Sequence, residues 1–204
     1  SQKDFVIIED DYESETNYSG APTPALKSLD VENRVIYIGS MSKTLFPGLR
    51  LGYVVASAEL IKELRALRLY ILRHTPNNNQ RTLAYFLSLG HHDALIHRLH
   101  RAYRSRWEAM AGALNTYLPN AAKVPTYGGS TFWVEGPMGL DADALTKTAL
   151  ENGVVIEPGS THFADENGPK NFFKLGFSSI PLEKIQPGIK LLAELISQQS
   201  NLKS

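Results

Sequence analysis

The chain has 204 residues, of which 43% are hydrophobic and 21% are charged, a composition typical of a soluble globular protein. Its 21 basic and 21 acidic residues cancel, which gives no support for a dominant nucleic-acid or membrane surface. The absence of cysteine excludes disulfides and thiolate metal sites. No apolar run approaches the roughly 20 residues that span a bilayer, so cytoplasm is the default expectation.

Three short apolar runs rich in β-branched residues occupy residues 5–8, 35–38 and 52–56. Such runs predict strands that are buried on both faces of a parallel or mixed sheet. Polar residues gather where the first two runs end. Because ligands of open α/β sheets bind at the carboxyl ends of the strands, these polar residues are candidates for one shared site.

The rest of the chain predicts helices and then a smaller α/β unit. Helical spacing of apolar residues predicts three helices, at residues 58–73 with Ser57 as the N-cap, 80–89 and 93–117. Beyond them, the predicted elements are strands at 130–134, 154–156 and 172–177, a helix at 141–152, and a last helix that ends near residue 196. Pro187 lies inside this last helix and marks either a kink or a restart.

Residues 40–50 combine one lysine, two serines and an arginine just beyond a predicted strand. A lysine in a partly desolvated pocket can attack an aldehyde and form a Schiff base, which is the chemistry expected of Lys43. The hydroxyls of Ser40 and Ser42 and the guanidinium of Arg50 suit a phosphate dianion near that aldehyde. Together they predict a site for pyridoxal phosphate (PLP).

The acidic end of the first strand supplies the remaining chemistry. A buried aspartate that faces a pyridine nitrogen keeps it protonated, so that the ring can accept electrons. Asp10 and Tyr12 share a face of an extended chain, and Tyr12 is placed to donate to the phenolic oxygen of the same ring. Asp11 is the alternative to Asp10, because two adjacent acids leave the register open by one residue. A strand-end turn or a cation contact is the other interpretation of this acidic run.

Residues 8–15, 34–40 and 42–53, taken as a set, resemble the aminotransferase-like domain of MocR-type regulators. These regulators belong to the GntR superfamily and descend from fold-type I, class I/II aminotransferases. The resemblance continues through residues 153–159 and 175–179 and so covers essentially the whole chain.

The resemblance implies an α/β fold in three parts. Residues 1–75 are expected to form the later part of a PLP fold-type I large domain with a mostly parallel sheet. Residues 76–119 are expected to be long connecting helices, and residues 120–204 a small C-terminal α/β subdomain.

The resemblance also implies a role for each matching residue. Lys43 forms the internal aldimine with PLP, Asp10 pairs with the pyridine nitrogen, and Tyr12 pairs with the ring hydroxyl. The phosphate is held by Ser40, Ser42 and Arg50.

One position departs from the family pattern. Aminotransferase-like proteins place an arginine just before the Leu-Gly-Phe strand to bind the substrate carboxylate, and this chain has Lys174 there. Lysine is a point charge without the bidentate fork of arginine. The substitution therefore predicts an altered effector or a weaker carboxylate contact.

The resulting hypothesis is the C-terminal part of a PLP-dependent, effector-sensing domain of a bacterial transcription regulator. PLP is held on Lys43 until an amino-compound effector displaces it, which biases domain orientation and hence DNA binding. A winged helix-turn-helix, the glycine-rich helix N-terminus for phosphate and the ring-stacking aromatic are all expected upstream of Ser1. The cofactor site of this chain alone is thus expected to be incomplete, and the full-length protein is expected to be a homodimer that contacts DNA but no membrane.

Two alternatives stay open. A free-standing class I/II aminotransferase would turn over an amino donor with a keto acid. A cofactor-free interaction module would keep these motifs without binding PLP. Metal binding is a weaker alternative, because most of the histidines lie in one polar helix region.

Overall fold

The computed structural model describes residues 4–11, 24–42, 45–123, 129–165 and 168–201. The chain divides into two compact units, residues 1–99 and 100–204. The boundary falls within a long helix, and the predicted three-part domain division stays a prediction. None of the described helices is long and apolar enough to cross a membrane.

The first unit contains a three-stranded mixed sheet. The strands are β1 (Ile7–Asp11), β2 (Val35–Ser40) and β3 (Gly52–Val55), and the short helix α1 (Leu26–Leu29) lies between the first two. β1 pairs with β2 in parallel, and β2 pairs with β3 in antiparallel orientation. All three predicted strands are confirmed, with ends shifted by up to three residues.

The expectation that these strands are buried on both faces is wrong for the described chain. Ile8 is 66% exposed and Val54 is 39% exposed, although both belong to apolar strand sequences. The reason is that the other described elements of the first unit cover only part of its three-stranded sheet, so that apolar side chains of the strands stay exposed.

Helices follow the sheet close to where the sequence predicts them. They are α2 (Ala58–Ile71), α3 (Asn77–Ser88) and α4 (His91–Tyr117). Ser57 caps α2 as predicted, since its side chain accepts a hydrogen bond from the Leu60 N–H at 3.4 Å. α3 begins three residues earlier than predicted, directly after Pro76. The asparagines at 77–79 form its first turn.

The second unit contains a four-stranded antiparallel sheet flanked in sequence by helices. Its elements are β4 (Ala122–Lys123), β5 (Thr131–Glu135), α5 (Ala142–Glu151), β6 (Glu157–Pro158), β7 (Phe172–Gly176) and α6 (Leu182–Asn201). The strand order is β4-β5-β7-β6, so β7 lies in the interior of the sheet. α6 contains Pro187 and continues to Asn201 as one helix, which extends beyond the predicted end.

The predicted strand at residues 154–156 is wrong, and the strand begins at Glu157. The cause is the way α5 ends. Gly153 adopts a φ of 81°, its N–H donates to the Leu150 carbonyl, and the Val154 N–H donates to the Ala149 carbonyl at 2.8 Å. This is the Schellman arrangement, which holds Val154 against the helix end and delays the strand.

The core of the second unit is formed by one face of this sheet and by the apolar sides of the helices. Alternate residues of β5 and β7 are almost fully buried, namely Phe132, Val134, Phe173 and Leu175. Each large apolar side chain removed from water stabilises the fold by roughly 1.5–3 kcal/mol. The intervening positions, Trp133 and Lys174, therefore lie on the opposite face.

Gly159 tests how tightly the second unit is packed. A Cβ built there would lie 2.6 Å from the Phe172 carbonyl oxygen, and Gly159 is buried. We expect Gly159→Ala to lower the free energy of unfolding by about 1–3 kcal/mol, as other overpacking substitutions do. Gly112, inside α4, is the matched control, because a Cβ there would meet nothing within 4 Å. Gly112→Ala should instead raise stability by roughly 0.5–1 kcal/mol, and urea unfolding of both variants would show whether the two signs differ.

Candidate functional site

The three consecutive acids of β1 lie on two different faces of the first sheet. Glu9 accepts hydrogen bonds from the backbone N–H groups of Leu26 and Lys27 at 2.7 and 2.9 Å, and so satisfies the first amides of α1. Asp11 accepts a hydrogen bond from the Tyr37 hydroxyl at 2.9 Å. Because side chains alternate along a strand, Glu9 and Asp11 share one face and Asp10 lies on the other.

Asp10 shares its face with Ser40. In the parallel register Asp10 lies opposite Ile38, and Ser40 is two residues further along β2 on the same side. The carboxylate of Asp10 is exposed on this face. The structure therefore brings two of the predicted site residues, from strands far apart in sequence, to the same face and the same end of the sheet.

The opposite face carries a pair of tyrosines that sequence reasoning did not single out. The rings of Tyr37 and Tyr53 lie 5.9 Å apart, and a side chain at Gly39 would overlap the Tyr53 ring. Burial, followed by hydrogen bonding to Tyr53 and Asp11, raises the pKa of Tyr37 above its usual value. Tyr37 thus stays a neutral donor, and Asp11 is engaged in structure on this face.

Hydrogen bonds from backbone N–H groups hold residues 41 and 42, which directly follow β2. The Ser42 N–H donates to the Ser40 hydroxyl oxygen at 3.3 Å, and the Met41 N–H donates to the Leu51 carbonyl at 3.0 Å. Both serines are half-buried. The Ser40 hydroxyl is thus engaged by the backbone directly after β2.

Arg50 adopts a left-handed backbone conformation, with φ 50° and ψ 41°, at the end of a 3-10 helix. Its neighbours Leu49 and Leu51 are 2% and 7% exposed and anchor the segment on both sides. The Asn79 side chain, from the first turn of α3, donates to the Leu49 carbonyl at 3.0 Å. A non-glycine residue in this region costs of order 1–3 kcal/mol and persists only where its surroundings impose it, often at functional sites.

Two predicted residues, Tyr12 and Lys43, lie outside the described residues. Their assigned roles stay predictions. The structure does place the chain on either side of Lys43, since Ser42 and Leu45 are described and the Leu45 N–H donates to the Met41 carbonyl at 3.0 Å.

Lys174 belongs to the second unit and is already engaged by an acid. Its Nζ lies 3.0 Å from Oε2 of Glu157, the residue opposite it in the β6–β7 register. The other oxygen of this carboxylate, Oε1, lies 2.9 Å from Nε2 of His162. Hydrogen bonding to Lys174 holds the pKa of Glu157 below its usual value against the opposing effect of desolvation, and His162 adds to the shift.

An aromatic surface adjoins this ion pair. Trp133 lies opposite Lys174 on β5 and stacks on Phe172 with ring centroids 5.6 Å apart. The rings of Trp133 and His162 are nearly perpendicular, with an interplanar angle of 86°. The Phe163 ring contacts both Trp133 and Phe172. Lys174 is thus flanked by an indole on one side and a carboxylate on the other.

The sequence did not identify the contacts that surround the predicted site residues. Residues 153–159 carried part of the family resemblance, but no role was inferred for Glu157. Its cross-strand position opposite Lys174 depends on a pairing between distant segments, and so does the contact of Asn79 with Leu49. Within the described part of the chain, no group of three or more His, Asp and Glu side chains could hold a metal ion.

The lowered pKa of Glu157 predicts a pH-dependent contribution to stability. A carboxyl group whose pKa is depressed in the folded state stabilises it fully above the unfolded value, here 4.5, and loses this effect as the pH falls through the folded value. Because these side chains are partly exposed, we expect Glu157→Gln to cost less than about 1 kcal/mol at neutral pH. Urea unfolding should show this difference shrink below pH 4.5, whereas a constant difference would contradict the assignment.

Comparisons with known proteins identify the relatives of this chain. The family description "Aminotransferase class I and II" matches residues 5–191. The chain is 46% identical, over 95% of its length, to the HTH-type transcriptional regulator TauR of Rhodobacter capsulatus, of which it covers 40%. It is 36% identical, over 98% of its length, to aromatic-amino-acid aminotransferase 1 of Thermococcus litoralis, of which it covers 48%.

A solved structure extends the comparison to three dimensions. Pyrococcus horikoshii kynurenine aminotransferase, in complex with PMP, superposes with a TM-score of 0.89 at 33% identity. The match covers 96% of this chain and 48% of that one. The chain therefore spans about half the length, or less, of these relatives. The family and its structural neighbours imply a PLP cofactor. With its mixed α/β fold and the match across residues 5–191, this chain belongs to the class I and II aminotransferase family.

Proposed function

We propose that this chain is the later part of a PLP-dependent, effector-sensing domain of a bacterial MocR-type transcription regulator. The observation that supports it most is the placement of Asp10 and Ser40 on one face of the first sheet, at the end where Arg50 follows. The similarity to an HTH-type regulator over nearly the whole chain favours a regulator over a free-standing enzyme.

The residues of the first unit fit the cofactor chemically. A carboxylate, two hydroxyls and a guanidinium are the groups needed for a protonated pyridine nitrogen and a phosphate dianion. Asp11 is less suited than Asp10, because it binds Tyr37 on the opposite face. When bound, PLP supplies an electrophilic aldehyde and a ring that accepts electrons.

Each of the predicted site residues in the first unit then has one role. Asp10 holds a proton on the ring nitrogen, and Tyr12 donates to the ring hydroxyl. Lys43 would hold the cofactor through its side-chain amine, and the amine of an effector would compete with it for the same position. The phosphate is bound by Ser40, Ser42 and Arg50.

The remaining parts of the proposal concern the whole protein. Lys174 binds the acid group of an amino compound, more weakly than an arginine would. Exchange of the Lys43 amine for the effector shifts the balance between domain arrangements, and DNA is bound through a helix-turn-helix domain outside this chain. The full-length protein is a cytoplasmic homodimer with little or no turnover.

The second candidate function is a free-standing aminotransferase, favoured by the 36% identity to the Thermococcus litoralis enzyme. The two functions differ in turnover. Rapid exchange between an amino donor and a keto acid by the full-length protein would contradict the pure sensor.

Lys43 carries the central test. Full-length protein purified with PLP should show the visible absorbance band of lysine-bound PLP, and Lys43→Ala should lose it, because no other amine is expected to hold the cofactor. Lys62→Ala, an exposed position on α2, is the matched control and should keep the band. Borohydride reduction and peptide mass spectrometry should locate the adduct at Lys43. Absence of the band from the wild-type protein, or an adduct at a residue other than Lys43, would contradict the proposal.

Arg50 offers a test that separates stability from cofactor binding. Arg50→Gly removes the guanidinium but relieves a left-handed backbone, so the PLP-free protein should keep or gain up to about 1 kcal/mol of stability. Its affinity for PLP should fall by at least tenfold, since a charged hydrogen bond to an ion contributes roughly 1.5–3 kcal/mol. Arg73, with φ 53° after the end of α2, is the matched control. Arg73→Gly should have the same effect on stability and none on PLP affinity, measured by equilibrium titration.

A further inference from the structure

The ion pair between Lys174 and Glu157 is built into the sheet rather than formed by chance between mobile side chains. β7 lies between β5 and β6, so Lys174 has Trp133 opposite it on one side and Glu157 on the other. Directly opposed residues of antiparallel strands have Cβ atoms only about 4.5–5.5 Å apart. The pairing therefore follows from the register of β6 and β7.

The carboxylate of Glu157 is held at both oxygens. Oε2 lies 3.0 Å from the Lys174 ammonium and Oε1 lies 2.9 Å from His162 Nε2. His162 is carried by the 3-10 helix Gly159–His162, which directly follows β6. Its ring also contacts Trp133 edge-on, which orients the imidazole toward the carboxylate. Two contacts from separate elements keep Glu157 in place beside the ammonium.

Because the Glu157 carboxylate compensates the positive charge of Lys174, this position attracts acid groups of ligands less strongly. The ammonium and the carboxylate sum to zero charge, so an incoming acid group gains less Coulomb energy than it would from an unpaired lysine. The space beside Lys174 is nevertheless open, because Gly176, two residues along the same face, is exposed and a Cβ there would meet nothing within 4 Å. A ligand can reach Lys174, but its acid group has to compete with Glu157.

We propose that Glu157 is an internal counterion of Lys174 that sets effector specificity, by lowering the affinity for carboxylate-bearing amino compounds relative to amines without an acid group. This inference deepens the proposed function and rests on it, since it assigns Lys174 to the effector. Glu157 acts through Lys174 and is a positioning residue.

The test compares three small amines on the full-length protein loaded with PLP. Alanine and β-alanine both carry a carboxylate. Ethylamine has the same amine and carbon skeleton as either of them without the carboxylate. Binding is followed by the change in the visible absorbance band. Glu157→Gln should raise the affinity for alanine or β-alanine by about fivefold, the scale of a partly exposed ion pair, and leave ethylamine unchanged.

Two controls tie the effect to this pair. Glu151→Gln removes the same charge at the exposed end of α5 and should leave all three affinities as in the wild type. Lys174→Met combined with Glu157→Gln should abolish the gain for the acids, because the cation that Glu157 occupies is gone. Thermal unfolding of each variant establishes that it is folded.

Two results would overturn the inference. Either the affinity for both acids is unchanged in Glu157→Gln, or the affinities for acids and ethylamine rise together. A readout that does not need the cofactor separates this inference from the proposed function. In PLP-free full-length protein, calorimetric titration with propionate should show tighter binding to Glu157→Gln than to the wild type. If the wild type lacks the visible band, the proposed function fails, and the propionate titration still decides whether Glu157 screens Lys174.

Discussion

The parallel register between β1 and β2 is the constraint on which the first site depends. It places Ile8, Asp10 and the β2 residues Ile38 and Ser40 on one face, and Glu9 and Asp11 on the other. A shift of one residue would exchange these faces completely. Contacts on the second face oppose such a shift, since Glu9 binds the first amides of α1 and Asp11 binds Tyr37. Two acids thus hold the sheet, and the third, Asp10, is exposed on the other face.

The backbone conformation of Arg50 depends on the packing of its neighbours within the same unit. Its left-handed backbone would relax if the chain around it were free, but Leu49 and Leu51 are buried on either side and Asn79 binds the Leu49 carbonyl. Packing of apolar neighbours therefore supplies the free energy that holds a polar residue in an unfavourable conformation. If Arg50 binds the phosphate as proposed, this arrangement favours binding, because less backbone freedom is lost when the ligand binds.

The second unit shows how the surroundings of a charge change its use. Lys174 replaces the arginine expected in this family, and the residue opposite it is an acid that also contacts His162. The buried face of the sheet, with Phe173 and Leu175 on either side of Lys174 in sequence, fixes where the lysine emerges. The specificity of such a position depends on the balance of the whole cluster rather than on the lysine alone.

The sequence by itself determined most of the strands and helices and the N-cap of α2, and it predicted the group of Ser40, Ser42, Lys43 and Arg50, because these features depend on residues close together in the chain. It left open whether Asp10 or Asp11 faces the ligand side. It also misplaced the strand after α5 and gave no role to Glu157 or Asn79. Only the tertiary structure decided the faces of the acids, the contact of Asn79 with Leu49 beside Arg50, and the partner of Lys174. The physical reason is that strand register and side-chain contacts join segments tens of residues apart, and local patterns carry no information on which partner lies opposite.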